Sequence, residues 1–174
     1  RFEYHSGDAT GEESWRDVAL GLIGQHQAAN AAVALATLLE LRRQGWRISE
    51  QAIRSGFEKL SWPARVEVIS SWPTVVLDAA HNVASVEALM LTLSESFTAR
   101  RRVLVFATAQ DKDAAGMLRV LGERFDEVII TSYRDNPRAM PAAELGVIAR
   151  DVLQRDTGEA IPITVCDAPT AAWE

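Results

Sequence analysis

Four short stretches of the chain carry side chains whose types and spacing could do chemistry. Gly24-Gln25-His26-Gln27-Ala28-Ala29-Asn30 opens a segment of helical character. His26 and Asn30 are four apart and Gln27 and Asn30 three apart, so all three can project from one end of a helix on neighbouring rows. An amide there can donate to and accept from an adenine edge; equally, Gln and Asn there can simply cap and solvate the first turn. Thr74-Val75-Val76-Leu77-Asp78-Ala79-Ala80-His81-Asn82 places Asp78 and His81 just past the carboxyl end of a strand, where open α/β sheets hold their ligands. A carboxylate at that point can accept from two ribose hydroxyls, and an imidazole can bind a substrate carboxylate or position a proton. An Asp N-cap followed by a surface His explains the same residues without function. In Trp62-Pro63-Ala64-Arg65-Val66-Glu67, Pro63 stiffens a junction and Arg65 offers a planar fork of donors to a phosphate or carboxylate; an ordinary linker Arg is the alternative. Asp111-Lys112-Asp113 follows a further strand and reads first as helix capping plus a solvated Lys. Arg134 and Arg138 follow the next strand and carry no assigned role.

Those residues need elements to position them. Short strands are expected at Phe2–His5 and Val18–Ile23, with the polar stretch 6–11 between them as a turn. A helix over about Gln25–Gln44 follows, with Ala28, Ala32, Leu35 and Leu39 as its apolar stripe and Gly45 as its stop. A second helix over about Glu50–Lys59 takes Ser49 as N-cap. Beyond Trp62-Pro63, strand candidates Val66–Ile69, Val75–Leu77, Val103–Phe106, Val128–Ile130 and Ile163–Cys166 alternate with helices at about Ala84–Phe97, Ala114–Phe125 and Pro141–Gln154. The starts of the last four strands lie 25 to 35 residues apart, which suits βαβ units and a parallel sheet. The expected fold is α/β: a Rossmann-like, open, mostly parallel sheet with helices on both faces over 63–174, preceded by a strand–helix segment over 1–62.

Composition narrows the function classes. Of 174 residues, 48% are hydrophobic and 24% charged, ordinary for a chain with a buried core. A net charge of -6 argues against nucleic acid or anionic membrane as partner. The basic run Arg100-Arg101-Arg102 reads as a solvated turn. One cysteine, Cys166, excludes a disulfide framework and reads as a structural thiol of a cytoplasmic protein. His5, His26 and His81 show no zinc spacing, and no metal ligand is assigned. No Walker-type phosphate loop, dinucleotide glycine fingerprint or nucleophile elbow occurs. The start, Arg1-Phe2-Glu3-Tyr4-His5, has no apolar leader and reads as cut from something longer.

Taken in order, Gly-x-His-Gln-x-x-Asn-Ala, Trp-Pro-x-Arg-x-Glu, Leu-Asp-x-Ala-His-Asn and Asp-Lys-Asp resemble the folylpolyglutamate synthase/dihydrofolate synthase family, the folate branch of the Mur ligase superfamily. The resemblance implies an ATP-dependent amide ligase that activates a carboxylate as an acyl phosphate and joins it to L-glutamate, with dihydropteroate or folate as acceptor. It implies that residues 1–62 end the central ATPase domain and 63–174 form most of the C-terminal domain. The phosphate loop and the Mg2+ ligands would lie upstream and a last strand downstream, so this segment alone would be inactive. Carried over residue by residue, His26, Gln27 and Asn30 would bind nucleotide with Asn30 on adenine, Asp78 would hold the ribose, Arg65 would meet the phosphates, and His81 would serve nucleotide or incoming glutamate. A monomer is the family expectation. Ala64 and Ala79 stand where the family commonly has Gly, which narrows the backbone angles open to them. A peptidoglycan-precursor Mur ligase and a non-catalytic α/β binding module are the alternatives. A Rossmann dehydrogenase fits least.

Overall fold

The computed structural model describes residues 1–8, 11–122, 124–153 and 160–173. Residues 9–10 of the expected turn and the expected helix end at Gln154 lie outside them. The chain divides into two compact units, Arg1–Ala79 and Ala80–Glu174.

In the first unit, β1 (Phe2–Asp8) and β2 (Gly11–Val18) form an antiparallel hairpin, with Phe2 opposite Val18 and Asp8 opposite Gly11. The second strand therefore ends at Val18, where the sequence suggested that it begins, because residues 6–8 and 11 of the polar stretch are themselves strand. Cross-strand pairing with β1 overrides its low β propensity. Helices α1 (Gln25–Arg43) and α2 (Glu50–Glu58) follow. The buried row of α1 is Gln27, Ala31, Leu35 and Leu39; it keeps Leu35 and Leu39 of the expected stripe, while Ala28 and Ala32 are only partly buried. After α1, the Gly45 N–H returns to the Arg42 carbonyl at 3.0 Å. Ser49 caps α2 as expected, its Oγ accepting from the Ala52 N–H at 3.1 Å. Phe2, Trp15, Val18, Leu35, Leu39, Ile53 and Phe57 make the core of this part, with Phe2 and Phe57 edge to face at 5.6 Å. Arg54 lies 5.1 Å from the Trp15 ring centroid and also pairs with Glu50, one turn before it on α2.

The unit ends in a second hairpin, β3 (Glu67–Ser71) and β4 (Thr74–Leu77), joined by a cis Trp72–Pro73 peptide. Here the sequence reading needs correction: β4 pairs antiparallel with β3 and is not a strand of the parallel sheet. Ser71 and Thr74 face each other across two residues, and so short a link closes a hairpin.

The second unit holds α3 (Val83–Ser96), β5 (Val103–Phe106), α4 (Ala114–Gly122), β6 (Glu127–Ile130), α5 (Ala142–Val152) and β7 (Ile163–Val165). Strands β5, β6 and β7 form a parallel sheet in that order. Consecutive crossovers of one hand, stepping one way along a sheet, put α4 and α5 on the same face. There Met117, Leu118, Val128, Ile130, Leu145 and Ala149 are fully buried. Of the helical cover expected on both faces, the packing of this unit describes one; Val103 and Val105 on the other remain 45% and 43% exposed. Gly116 lets α4 close on its surroundings: a Cβ there would lie 2.9 Å from Val83 Cγ2 and 2.3 Å from Asp113 Oδ2.

The basic run is more than a solvated turn. Arg101 pairs with Glu127, and the Arg102 N–H donates to Asp126 at 2.8 Å, tying the start of β5 to β6. No helix among the described residues is long and apolar enough to cross a membrane.

Candidate functional site

The start of α1 is built by Gly24. Its φ of 112° is open to glycine and strained for other residues, and its carbonyl accepts from the Gln27 N–H at 3.1 Å. No side chain caps this end and no acidic residue stands in the first turn, so its N–H groups and dipole favour an anion or a polar ligand. The three polar side chains expected to share this end are joined. Gln27 Nε2 lies 2.9 Å from His26 Nε2, and Asn30 Nδ2 donates to Gln27 Oε1 at 3.4 Å. An amide nitrogen only donates, so His26 Nε2 is the acceptor in this contact. Gln27 is buried, His26 partly buried and Asn30 exposed, so Gln27 braces the more exposed Asn30 from below.

Arg65 is exposed and stands between two residues of unusual backbone. Ala64 and Val66 have φ of 54° and 51°. For a β-branched residue this is a true outlier, and such strain persists only where surrounding contacts hold it. The contacts are present. The Ala64 N–H donates to Glu67 Oε2 at 2.8 Å, the Ala79 N–H donates to the Ala64 carbonyl at 2.9 Å, and the Val66 N–H donates to Asp78 Oδ2 at 2.9 Å. Asp78 is therefore no helix cap; one of its carboxylate oxygens secures the segment that carries Arg65. Glu67 is the residue that sequence reasoning missed, although it closes the Trp-Pro-x-Arg-x-Glu motif.

In the second unit, His81 is exposed just before α3. Its N–H and that of Asn82 donate to Ser85 Oγ at 3.0 and 3.1 Å, while the Ser85 N–H donates to Asn82 Oδ1 at 2.8 Å. This capping box makes Asn82 the N-cap and fixes the backbone that carries His81.

At the carboxyl ends of β5 and β6, Arg138 binds Asp111 through both carboxylate oxygens at 2.8 and 2.7 Å. The Arg138 and Lys112 contacts hold the Asp111 carboxyl down at about 2. Lys112 Nζ lies 3.2 Å from Asp111, and Gln110 ties to Arg138 and Ala139 through its N–H and Nε2. Asp113 Oδ1 accepts from the Gly116 N–H at 2.8 Å, so the expected capping is present. Arg138, without a role in the sequence reading, helps join these two loops, together with Gln110 and the Ala109–Ala139 bridge. The chemistry available is thus divided: His26, Gln27, Asn30, Arg65 and Asp78 lie in the first unit, and His81, Lys112 and Arg138 in the second. No group of three or more His, Cys, Asp or Glu side chains able to hold a metal occurs among the described residues.

Comparison with known proteins adds to this geometry. Residues 64–174 match the family model described as Mur ligase, glutamate ligase domain. The dihydrofolate synthase/folylpolyglutamate synthase of Mycobacterium tuberculosis is 39% identical over 137 residues, covering 78% of this chain and 28% of that protein. The crystal structure of Mycobacterium tuberculosis folylpolyglutamate synthase complexed with ADP and AMPPCP superposes with a TM-score of 0.79 at 34% identity, over 92% of this chain and 34% of that one. A bifunctional folylpolyglutamate synthase/dihydrofolate synthase with Mn, AMPPNP and L-glutamate bound gives 0.73 at 29% identity, over 94% and 36%. The chain spans about a third of the length of these relatives.

Proposed function

Given that the chain belongs to the folylpolyglutamate synthase/dihydrofolate synthase family and carries its Mur-type glutamate ligase domain, we propose that it serves an ATP-dependent ligase adding L-glutamate to dihydropteroate, to folates, or to both. The observation that carries this reading is the 39% identity over 137 residues to a relative named for both activities. The relatives solved with ADP, AMPPCP, AMPPNP, Mn and L-glutamate support nucleotide, divalent cation and amino acid as ligands.

On this reading the acceptor's carboxylate oxygen attacks the γ-phosphorus of ATP and ADP leaves. The glutamate amine then attacks the acyl carbon, loses a proton, and expels phosphate to leave an amide. Asn30 meets the adenine edge, braced by Gln27 and His26. Asp78 accepts from the ribose through its carboxylate, which also holds the Val66 N–H. Arg65 lies against the phosphates, where its fixed charge offsets that developing during transfer. His81 binds the glutamate carboxylate or holds a proton near the amine. Mg2+, when bound, would neutralise phosphate charge, and its ligands would come from parts of the ligase outside these residues.

The segments 1–62 and 63–174 would then be the end of the ATPase domain and the C-terminal domain of a cytoplasmic monomer. The isolated 174 residues would be inactive because they carry only some of the ligand contacts. The test is ADP release by the full-length ligase with ATP, Mg2+ and glutamate, supplied in turn with dihydropteroate, tetrahydrofolate or a UDP-muramyl peptide. Release that needs a pterin supports the reading and tells which step is catalysed. Release only with the UDP-sugar assigns the chain to cell-wall synthesis, and no release with any acceptor makes it a binding module.

A further inference from the structure

Arg65 sits in a segment that would not hold its shape alone. Ala64 and Val66 on either side are left-handed at φ 54° and 51°, and neither is glycine. Three hydrogen bonds oppose the relaxation of these two peptides, and two of them end on carboxylates: Glu67 takes the Ala64 N–H at 2.8 Å and Asp78 takes the Val66 N–H at 2.9 Å. Bonds with an ionised acceptor are roughly twice as strong as neutral ones, so these two outweigh the backbone bond from Ala79 to Ala64. Val66 is itself buried, at 2% exposure, so its side chain anchors the segment while Arg65 next to it stays exposed. Strain held by charge-assisted bonds on both sides of one exposed guanidinium is how a fold preorganises a functional cation.

We propose that Glu67 is a positioning residue for Arg65: it holds the Ala64–Val66 backbone in the conformation from which Arg65 reaches the phosphates, and Asp78 completes the clamp. This rests on the reading of Arg65 as the phosphate contact. Glu67 touches no substrate; its effect on the reaction passes through Arg65 alone.

The experiment is a double-mutant cycle in the full-length ligase, reading kcat and KM for ATP, with thermal melting to identify variants that fold. Arg65→Ala lowers kcat/KM by about ten- to hundredfold, as loss of a charged contact does. Glu67→Ala lowers it about tenfold, and Glu67→Gln, which keeps an oxygen for the Ala64 N–H, recovers most of that loss. In the Arg65→Ala background, removing Glu67 changes kcat/KM no further, because residues acting as one unit do not add. If the two losses multiply instead, Glu67 acts independently and the inference falls while the role of Arg65 stands. If Arg65→Ala turns over like the wild type, the phosphate reading falls and the inference with it. Should Glu67→Ala fail to fold, Glu67→Asp enters the same cycle, its carboxylate one methylene short of Ala64.

Discussion

The carboxylate of Asp78 accepts the backbone N–H of Val66 at 2.9 Å, so the end of β4 holds the start of β3 by a side chain as well as by the strand ladder. Val66 is buried, and an N–H left there without a partner is destabilising by about 1–3 kcal/mol. Asp78→Ala is expected to lower stability by that amount, with Asp78→Asn falling between it and the wild type because its oxygen can still accept. Chemical denaturation of the three proteins checks the order. In the full-length ligase, Asp78→Ala is also expected to raise the KM for ATP if the carboxylate holds the ribose; an unchanged KM removes that role.

Ala64→Gly is expected to be neutral to mildly stabilising. A left-handed alanine carries roughly 1–2 kcal/mol of strain, and glycine gives back about 0.5–1 kcal/mol through the freedom it loses on folding. The net is about 0–1.5 kcal/mol in favour of glycine, against the usual sign of an alanine-to-glycine change. A drop in melting temperature would show that Ala64 does not hold the φ of 54°.

Breaking the capping box at α3 should destabilise the second unit. Asn82→Ala removes the acceptor of the Ser85 N–H and is expected to be destabilising by about 1 kcal/mol. Ser85→Ala removes the acceptor of the His81 and Asn82 N–H groups and should have a similar effect. Amide hydrogen exchange at Ser85 in Asn82→Ala, and at His81 and Asn82 in Ser85→Ala, reports the loss directly; protection as in the wild type would mean that other contacts hold the turn.

The Asp111–Arg138 pair has a defined pH range. The Asp111 carboxyl is lowered from 3.8 to about 2, so its contribution is fully present above the unfolded value and is lost as pH falls through about 2. Titration of its carboxyl carbon by NMR should give a midpoint well below that of an ordinary aspartate, and Arg138→Ala should return it toward 3.8. The pair is exposed, so added salt should weaken the shift.

Much of this was legible in the sequence, and the misses share a cause. Helix α1, the Ser49 cap and strands β5 to β7 follow from local periodicity and capping chemistry, which a single stretch of chain contains. Strand spacing does not encode the pairing of β4 with β3, which rests on the two-residue link at Trp72-Pro73. Gln27 was placed correctly beside His26 and Asn30, but its burial depends on what packs over the first turn of α1, which spacing does not encode. The salt bridge from Arg138 to Asp111 spans 27 residues and exists only once β5 and β6 lie side by side, and the clamp of Val66 by Asp78 spans 12. Residue types announced which groups could do chemistry; chain folding decided which of them hold each other.

The hydrogen-bonded row at the start of α1 has a direction, running from the Asn30 amide through Gln27 to the ring of His26. Gln27 is committed at both ends of its amide, its Nε2 toward His26 and its Oε1 to Asn30. Its orientation therefore fixes which edge of the Asn30 amide faces the row and which faces outward. The donor and acceptor pattern shown at Asn30 is set one side chain away, by the residue that is buried rather than by the one that is exposed.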